Sequence, residues 1–169
     1  FGVRAYNKYV ELKNKQNIIF EYVKNGGNFV VQYNVNGRDL KVNQNELLPY
    51  SLEISRERVT VEQAPIKVLA PDHKALNYPN KITQKDFDGW VQERGLYFPT
   101  KWDSNFSALL SCNDPGEPAR DGGLLVAPYG RGNVVYTGYA FFRQLPEGVP
   151  GAYRLFANLI SIPKQDLTP

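Results

Sequence analysis

A chain of 169 residues that is 42% apolar and 22% charged has the make-up of one globular domain with a real core. Its net charge of +3 (20 basic against 17 acidic residues) and its scattered Lys and Arg exclude the phosphate-tracking stripe of a nucleic-acid binder. No apolar stretch approaches the roughly 18 residues of a membrane span, and the single cysteine and single histidine, Cys112 and His73, exclude an internal disulfide and a Cys- or His-rich metal centre.

The first residues, Phe1-Gly2-Val3-Arg4-Ala5-Tyr6-Asn7, read as the end of a strand turning into a helix, and with no Met in the chain they suggest a fragment whose first strand lies upstream. Helical spacing follows over 7–24, with Tyr9, Val10, Leu12, Ile18, Ile19, Phe20, Tyr22 and Val23 as the apolar set and Asn7 as N-cap. Gly26-Gly27 closes the helix, and Asn28-Phe29-Val30-Val31-Gln32-Tyr33-Asn34 has the form of a buried strand. Helix, Gly-Gly and buried strand make half of a βαβ unit, which predicts a parallel sheet.

Residues 35–51 are polar, with a turn expected at Asn36-Gly37. Short extended pieces are expected at Leu52–Ser55, Arg58–Val61 and Ile66–Leu69, and Thr83 is placed to cap a helix carrying Phe87, Trp90 and Val91. A further strand is expected over 106–111. Near the C-terminus, 123–129 and 133–137 flank Gly130-Arg131-Gly132 as a hairpin, and Pro150-Gly151 opens a closing helix with Tyr153, Leu155, Phe156, Leu159 and Ile160 on its apolar side.

Several of these strings resemble a known group. Arg4-Ala5-Tyr6-Asn7, the passage Tyr22 to Asn28, and Tyr129-Gly130-Arg131-Gly132-Asn133-Val134-Val135-Tyr136-Thr137-Gly138 are similar to class I glutamine amidotransferase-like domains of the ThuA-like branch. Asn77 to Thr83, Asp86 to Gly95, Asn113-Asp114-Pro115-Gly116 and Gly148 to Asn158 resemble the C-terminal domain of large bacterial PIG-L (LmbE-like) deacetylases. The resemblance implies a flavodoxin-like three-layer α/β sandwich with a mostly parallel sheet, its N-terminal strands upstream of Phe1. It also implies a zinc-dependent deacetylase domain upstream as partner, no cofactor in this domain, and a periplasmic or secreted location.

An amidotransferase needs a cysteine on a tight strand-to-helix turn and a histidine after a late strand. Here Tyr33-Asn34 stands at the first place and Phe142-Arg143 at the second, so no catalytic residue is assigned. A Gly-x-Ser-x-Gly elbow is absent, and the Gly130 turn lacks the Lys-Ser/Thr of a P-loop. What remains is a set of ligand-binding candidates: Arg4, Asn7, Asn34, Asp86, Trp90, Glu93, Arg94, Asp114 and Arg143. Several follow strands, so they are expected to converge at the carboxyl edge of the sheet, with Trp90 or Trp102 as a stacking face. The same residues would serve equally as ion pairs and brackets that tie loops to the sheet. Two functions fit: a non-catalytic accessory domain of a deacetylase acting on N-acetylated sugars, for packing or substrate presentation; or a stand-alone protein binding or modifying a small polar ligand such as a sugar, with Asp86 and Glu93 flanking it.

Overall fold

The strongest local signal in the chain is the glycine turn near its end, and the structure is organised around it. In the computed structural model, which describes residues 1–165, Leu124–Tyr129 (β7) and Gly132–Thr137 (β8) form an antiparallel hairpin. Gly130 turns the chain at φ 58°, a left-handed conformation that glycine adopts without a Cβ clash. Every residue of β8 is buried, so β8 is an interior strand. On its other side lies Asn28–Gln32 (β1), paired parallel with register Asn28 to Asn133 through Gln32 to Thr137.

The sheet that results is mixed, and this corrects the expected flavodoxin-like, mostly parallel sandwich. Its order is β1-β8-β7-β5, where β5 is Ser107–Ala108, and β1 with β8 is its one parallel pair. The physical reason lies in the connections. A parallel neighbour needs a crossover of a dozen or more residues, whereas the Gly130 turn folds β8 straight back on β7. Two smaller antiparallel pairs complete the strands: Leu52–Val59 (β2) with Gly95–Trp102 (β4), and Lys67–Val68 (β3) with Leu110–Ser111 (β6).

Strand alternation divides the core in two. Val30, Leu124, Val126 and Val135 face one side and pack with Ala152, Leu155 and Leu159 of the closing helix, Pro150–Ile160. Phe29, Val31, Leu125, Ala127, Val134 and Tyr136 face the other side, toward Val23, Leu52 and Ile54. Each Val, Leu, Ile or Phe among them, taken fully from water, contributes roughly 1.5–3 kcal/mol before the entropy of ordering is subtracted.

The N-terminal helix expected over 7–24 is two helices, Ala5–Lys8 (α1) and Glu11–Lys24 (α2), broken at the extended Tyr9. Asn7 is a buried member of α1 and not its N-cap; the cap position belongs to Arg4, at φ 56°. Only Val23 of α2 is fully buried, and Ile18 and Tyr22 face solvent. Lys74–Asn77 (α3) and Phe141–Gln144 (α4) are single turns, and the closing helix is α5. Thr83 does form a reciprocal capping box with Asp86, but it opens a 3-10 turn over Gln84–Phe87, not an α-helix. Ala at Gly151 would place a Cβ 1.9 Å from the Asp86 carbonyl oxygen, so α5 rests directly on that turn. The two extended pieces near residue 55 are one strand, β2, while the piece at 106–111 is split between two partners, β7 and β3.

The entry of β8 is equally tight. A Cβ on Gly132 would lie 2.1 Å from the Gly27 carbonyl oxygen and 2.2 Å from that of Val23. Both are backbone atoms, which cannot rotate away. Gly132→Ala is therefore expected to lower the free energy of unfolding by at least about 2 kcal/mol, read as a fall in the denaturation midpoint without a change in slope.

Candidate functional site

Side chains from four segments meet beyond the carboxyl ends of β1 and β8, the position where parallel strands present ligand sites. Tyr33 leaves β1 and stacks on Tyr97 of β4, with ring centroids 5.1 Å apart. Phe142 of α4 meets Tyr33 edge-on at 5.6 Å, and the Arg143 guanidinium lies 4.9 Å from the centre of the Phe142 ring. Glu93 accepts from Arg143 Nε at 2.6 Å, and the Gln92 side-chain oxygen accepts from its Nη1. The Arg4 backbone N–H donates to the Tyr33 carbonyl at 2.7 Å.

Three residues other than glycine have positive φ among the described residues: Arg4 at 56°, Gln92 at 66° and Tyr97 at 56°. All three belong to this one cluster. Tyr97 has a clear local cause, because it is the residue left over where the register of β2 and β4 slips. A bulge of this kind re-aims one side chain, here onto Tyr33, and the Tyr136 hydroxyl holds it by donating to the Tyr97 carbonyl at 3.1 Å. Non-glycine residues in this region cost on the order of 1–3 kcal/mol each and persist only where their surroundings over-determine them.

Charge is shared unevenly. Burial, then the neighbouring Tyr97, holds the Tyr33 hydroxyl above its ordinary value; Glu93 pushes the same way, while Arg4 and Arg143 pull it down. Glu93 is 7% exposed and is matched by Arg143, whereas the Arg4 side chain is exposed.

The other candidates act as brackets. Asn34 is fully buried, accepts from Tyr6 N–H at 2.9 Å and donates to the Gln32 carbonyl at 3.1 Å. Asn7 closes a reciprocal pair with the Val35 backbone, at 2.8 and 2.9 Å. Arg94 is buried, donates to the Ala64 and Phe87 carbonyls, and sits over Trp90. Asp86 accepts from Thr83 N–H and from Arg154 Nε, both at 2.7 Å. Asp114, in the loop after β6, binds the end of β2; burial pushes its carboxyl up, but bonds from Thr60 and Val61 outweigh this and hold it low.

Trp90 cannot serve as a stacking face. It is 2% exposed, donates to the Asp86 carbonyl at 2.9 Å and is packed by Phe87, Tyr139 and Phe141. The pair of carboxylates expected to flank a sugar is also divided, since Asp86 is held by Arg154 and Glu93 by Arg143. Sequence reasoning missed Tyr33, Tyr97 and Phe142 as cluster members. With 11 Tyr and 9 Phe the chain is rich in aromatic residues, but nothing in its spacing marks the bulge that delivers Tyr97.

Cys112 and His73 each bond to a different partner. The Cys112 thiol is 3.4 Å from the Tyr139 hydroxyl, and burial pushes it up to about 11, so it stays protonated and inert at neutral pH. His73 uses Nδ1 to accept from Ala75 N–H at 3.1 Å, as the cap of α3. No group of His, Cys, Asp and Glu among the described residues is arranged to hold a metal ion. No helix among them is long and apolar enough to cross a membrane.

Solved structures share the fold, two cytoplasmic proteins among them. These are the cytoplasmic proteins STM3548 (TM-score 0.58, 17% identity) and STM1381 (TM-score 0.54, 16% identity) of Salmonella typhimurium. The match covers 90% and 89% of this chain but 61% and 60% of those proteins, so the chain spans about three-fifths of their length. A β-galactosidase from Rahnella sp. R3 is more distant, with a TM-score of 0.48 and 18% identity over 91% of this chain and 22% of the enzyme. No protein-family model and no curated protein matches the chain in sequence.

Two outcomes test the geometry. Arg143→Ala strips the partner from a nearly buried Glu93 carboxylate and is expected to destabilise by about 2 kcal/mol, below the full buried-pair range because Arg143 is itself partly solvated. Glu93→Gln in the same background should recover part of that loss in chemical denaturation. His73 gives a pH signature. Burial, then Lys74, lowers its folded pKa below 6.5, so the unfolded chain binds the proton first. The His73 contribution is complete above about 6.5 and is lost as pH falls through the lower folded value, with a slope of at most about 1.4 kcal/mol per unit. Replacing His73 by Asn, which can also cap, should flatten unfolding free energy against pH in that window.

Proposed function

We propose that the chain is a non-catalytic accessory domain of a larger hydrolase, of the PIG-L type that deacetylates amino sugars, and that it works by packing against that enzyme or presenting its substrate. One observation carries the non-catalytic part. The edge where an amidotransferase needs a cysteine and a histidine is filled by Tyr33-Asn34 and Phe142-Arg143, and these make a stack, an ion pair and buried brackets among themselves. Such a set positions loops and does no proton or acyl transfer, because it contains neither an activated nucleophile nor a free base beside one. The sealed Cys112 thiol supports the same reading. The zinc of the deacetylase would then be held by residues of the upstream domain, and the reading rests for its enzyme class on the sequence strings quoted above.

The test is a comparison of the longer polypeptide with and without residues 1–169, using an N-acetylglucosamine substrate. Removal is expected to leave kcat within about twofold while raising KM roughly tenfold, a loss of uniform binding. If the chain alone turns over glutamine or an N-acetyl sugar, and Cys112→Ala or Glu93→Gln abolishes that turnover, the reading is wrong. A stand-alone sugar-binding or sugar-modifying protein is the second reading, favoured by a cleft of about 350 Å³ at the end of β4 that Trp102, Asn45 and Asp103 line.

A further inference from the structure

Trp102 ends β4 and is only half-buried, unlike the fully packed Trp90. The indole is half-buried and lines a shallow cleft of about 350 Å³ with Asn45, Ser51, Glu53, Lys101 and Asp103. The cleft lies where β2 begins and β4 ends, with Leu52 opposite Trp102 and Glu53 opposite Lys101.

Its walls are fixed by bonds between the two strand ends and within the loop that follows β4. Asp103 N–H donates to the Ser51 carbonyl at 3.0 Å, which ties the two strand ends together. Asp103 Oδ1 accepts from the Asn105 backbone N–H at 2.9 Å and from its side-chain amide at 2.7 Å. Those bonds hold the carboxyl below its ordinary range, so it is ionised at neutral pH; both fall on Oδ1, and Oδ2 has no hydrogen-bond partner among the described residues. Gln44 pins the adjacent 3-10 turn by accepting from Ile54 N–H at 3.0 Å, and Asn45 N–H donates to Asn43 Oδ1 at 3.0 Å. The indole is backed by Gly122, where a Cβ would lie 3.1 Å from the ring and 2.0 Å from the Pro99 carbonyl oxygen. Trp102 is thus half-buried against the second core cluster, with its ring close to the Gly122 backbone.

We infer that this cleft is a binding site for a neutral hexopyranoside, its C–H face laid on Trp102 and its hydroxyls donating to Asp103 and exchanging bonds with the Asn45 amide. An aromatic face ringed by a carboxylate, an amide and a hydroxyl matches a ligand with one apolar face and a polar rim. A carboxylate accepting from sugar hydroxyls makes the stronger, charge-assisted kind of hydrogen bond. Lys101 and Glu53 pair at 3.2 Å across the rim, which leaves Asp103 as the uncompensated charge and disfavours phosphorylated or acidic sugars. The site requires neither an accessory role nor a deacetylase, so its failure would leave the proposed function standing.

The experiment titrates the isotopically labelled chain with methyl α-D-glucopyranoside and follows amide and indole resonances. Saturable shifts of the Trp102 indole N–H and of Asp103 and Asn105 are expected, with Kd on the order of millimolar for so small a ligand. The Trp90 indole N–H, bonded within the core, should stay still and serves as the internal reference. Trp102→Ala should abolish the shifts. Asp103→Asn keeps the oxygen that accepts from Asn105, so the loop is retained, and it should weaken binding about tenfold. Glucose 6-phosphate should bind more weakly than the neutral glycoside. Absence of saturable shifts, shifts centred on Tyr33 and Tyr97 instead of Trp102, or unchanged affinity in Asp103→Asn would each overturn the assignment.

Discussion

The pairing of β1 with β8 is the constraint on which the rest of this structure depends. It is the one parallel ladder among the described residues, it is buried on both faces, and each end is closed by a specific device. At the amino end, Gly132 passes so near the Gly27 and Val23 carbonyls that no side chain fits, and Asn133 bonds to Asn28 at 2.9 Å across the pair. At the carboxyl end, Asn34 and Asn7 turn the departing chain back over α1. Since β1 is fixed against β8, Tyr33 is aimed where α4 brings Phe142 and Arg143. The aromatic cluster is thus a consequence of the ladder and not an independent feature.

How legible this was depended on distance along the chain. The C-terminal hairpin and α5 could be read directly because their signals are local: a glycine turn between β-forming runs, and Pro at the first helical turn of an apolar-faced segment. The parallel sheet was extrapolated from half of a βαβ unit, and one parallel pair is all that the half-unit specifies. The strand β4 was invisible for the opposite reason. Pro99 interrupts it and Tyr97 breaks its register, so its sequence lacks alternation, and only pairing with β2 makes it a strand. Helix α2 shows that apolar spacing is not burial, since Ile18 and Tyr22 lie on its outer face.

The candidate residues divide along the same line. Which types occur near strand ends was readable, but whether each is free or bonded was not. Arg94, Asp86, Asn34 and Asn7 all find backbone or arginine partners, as buried polar groups must if they are not to destabilise the fold. A side chain whose bonding capacity is filled by the fold has little left for a ligand. By that measure the strand-end edge, for all its strain and charge, is largely closed. Glu93 is taken up by Arg143, and Arg143 in turn by Glu93, Gln92 and the Phe142 ring.

The two tryptophans make the same distinction in one residue type. Trp90 has its N–H bonded and its ring covered on every side that the aromatic contacts describe, so its contribution is to the stability of the core. Trp102 is backed on one side by the Gly122 backbone and faces a polar cleft on another. Sequence position gives no hint of this, since both stand among charged neighbours. What separates them is that Trp90 precedes β4 and is covered by Phe141 of α4 and by Phe87 of the 84–87 turn, while Trp102 ends the strand half-buried and lines a cleft. A strand end is where a side chain can keep one face for the core and leave the other unspent. For this chain that makes the end of β4, and not the carboxyl edge of the parallel pair, the place where recognition chemistry remains free.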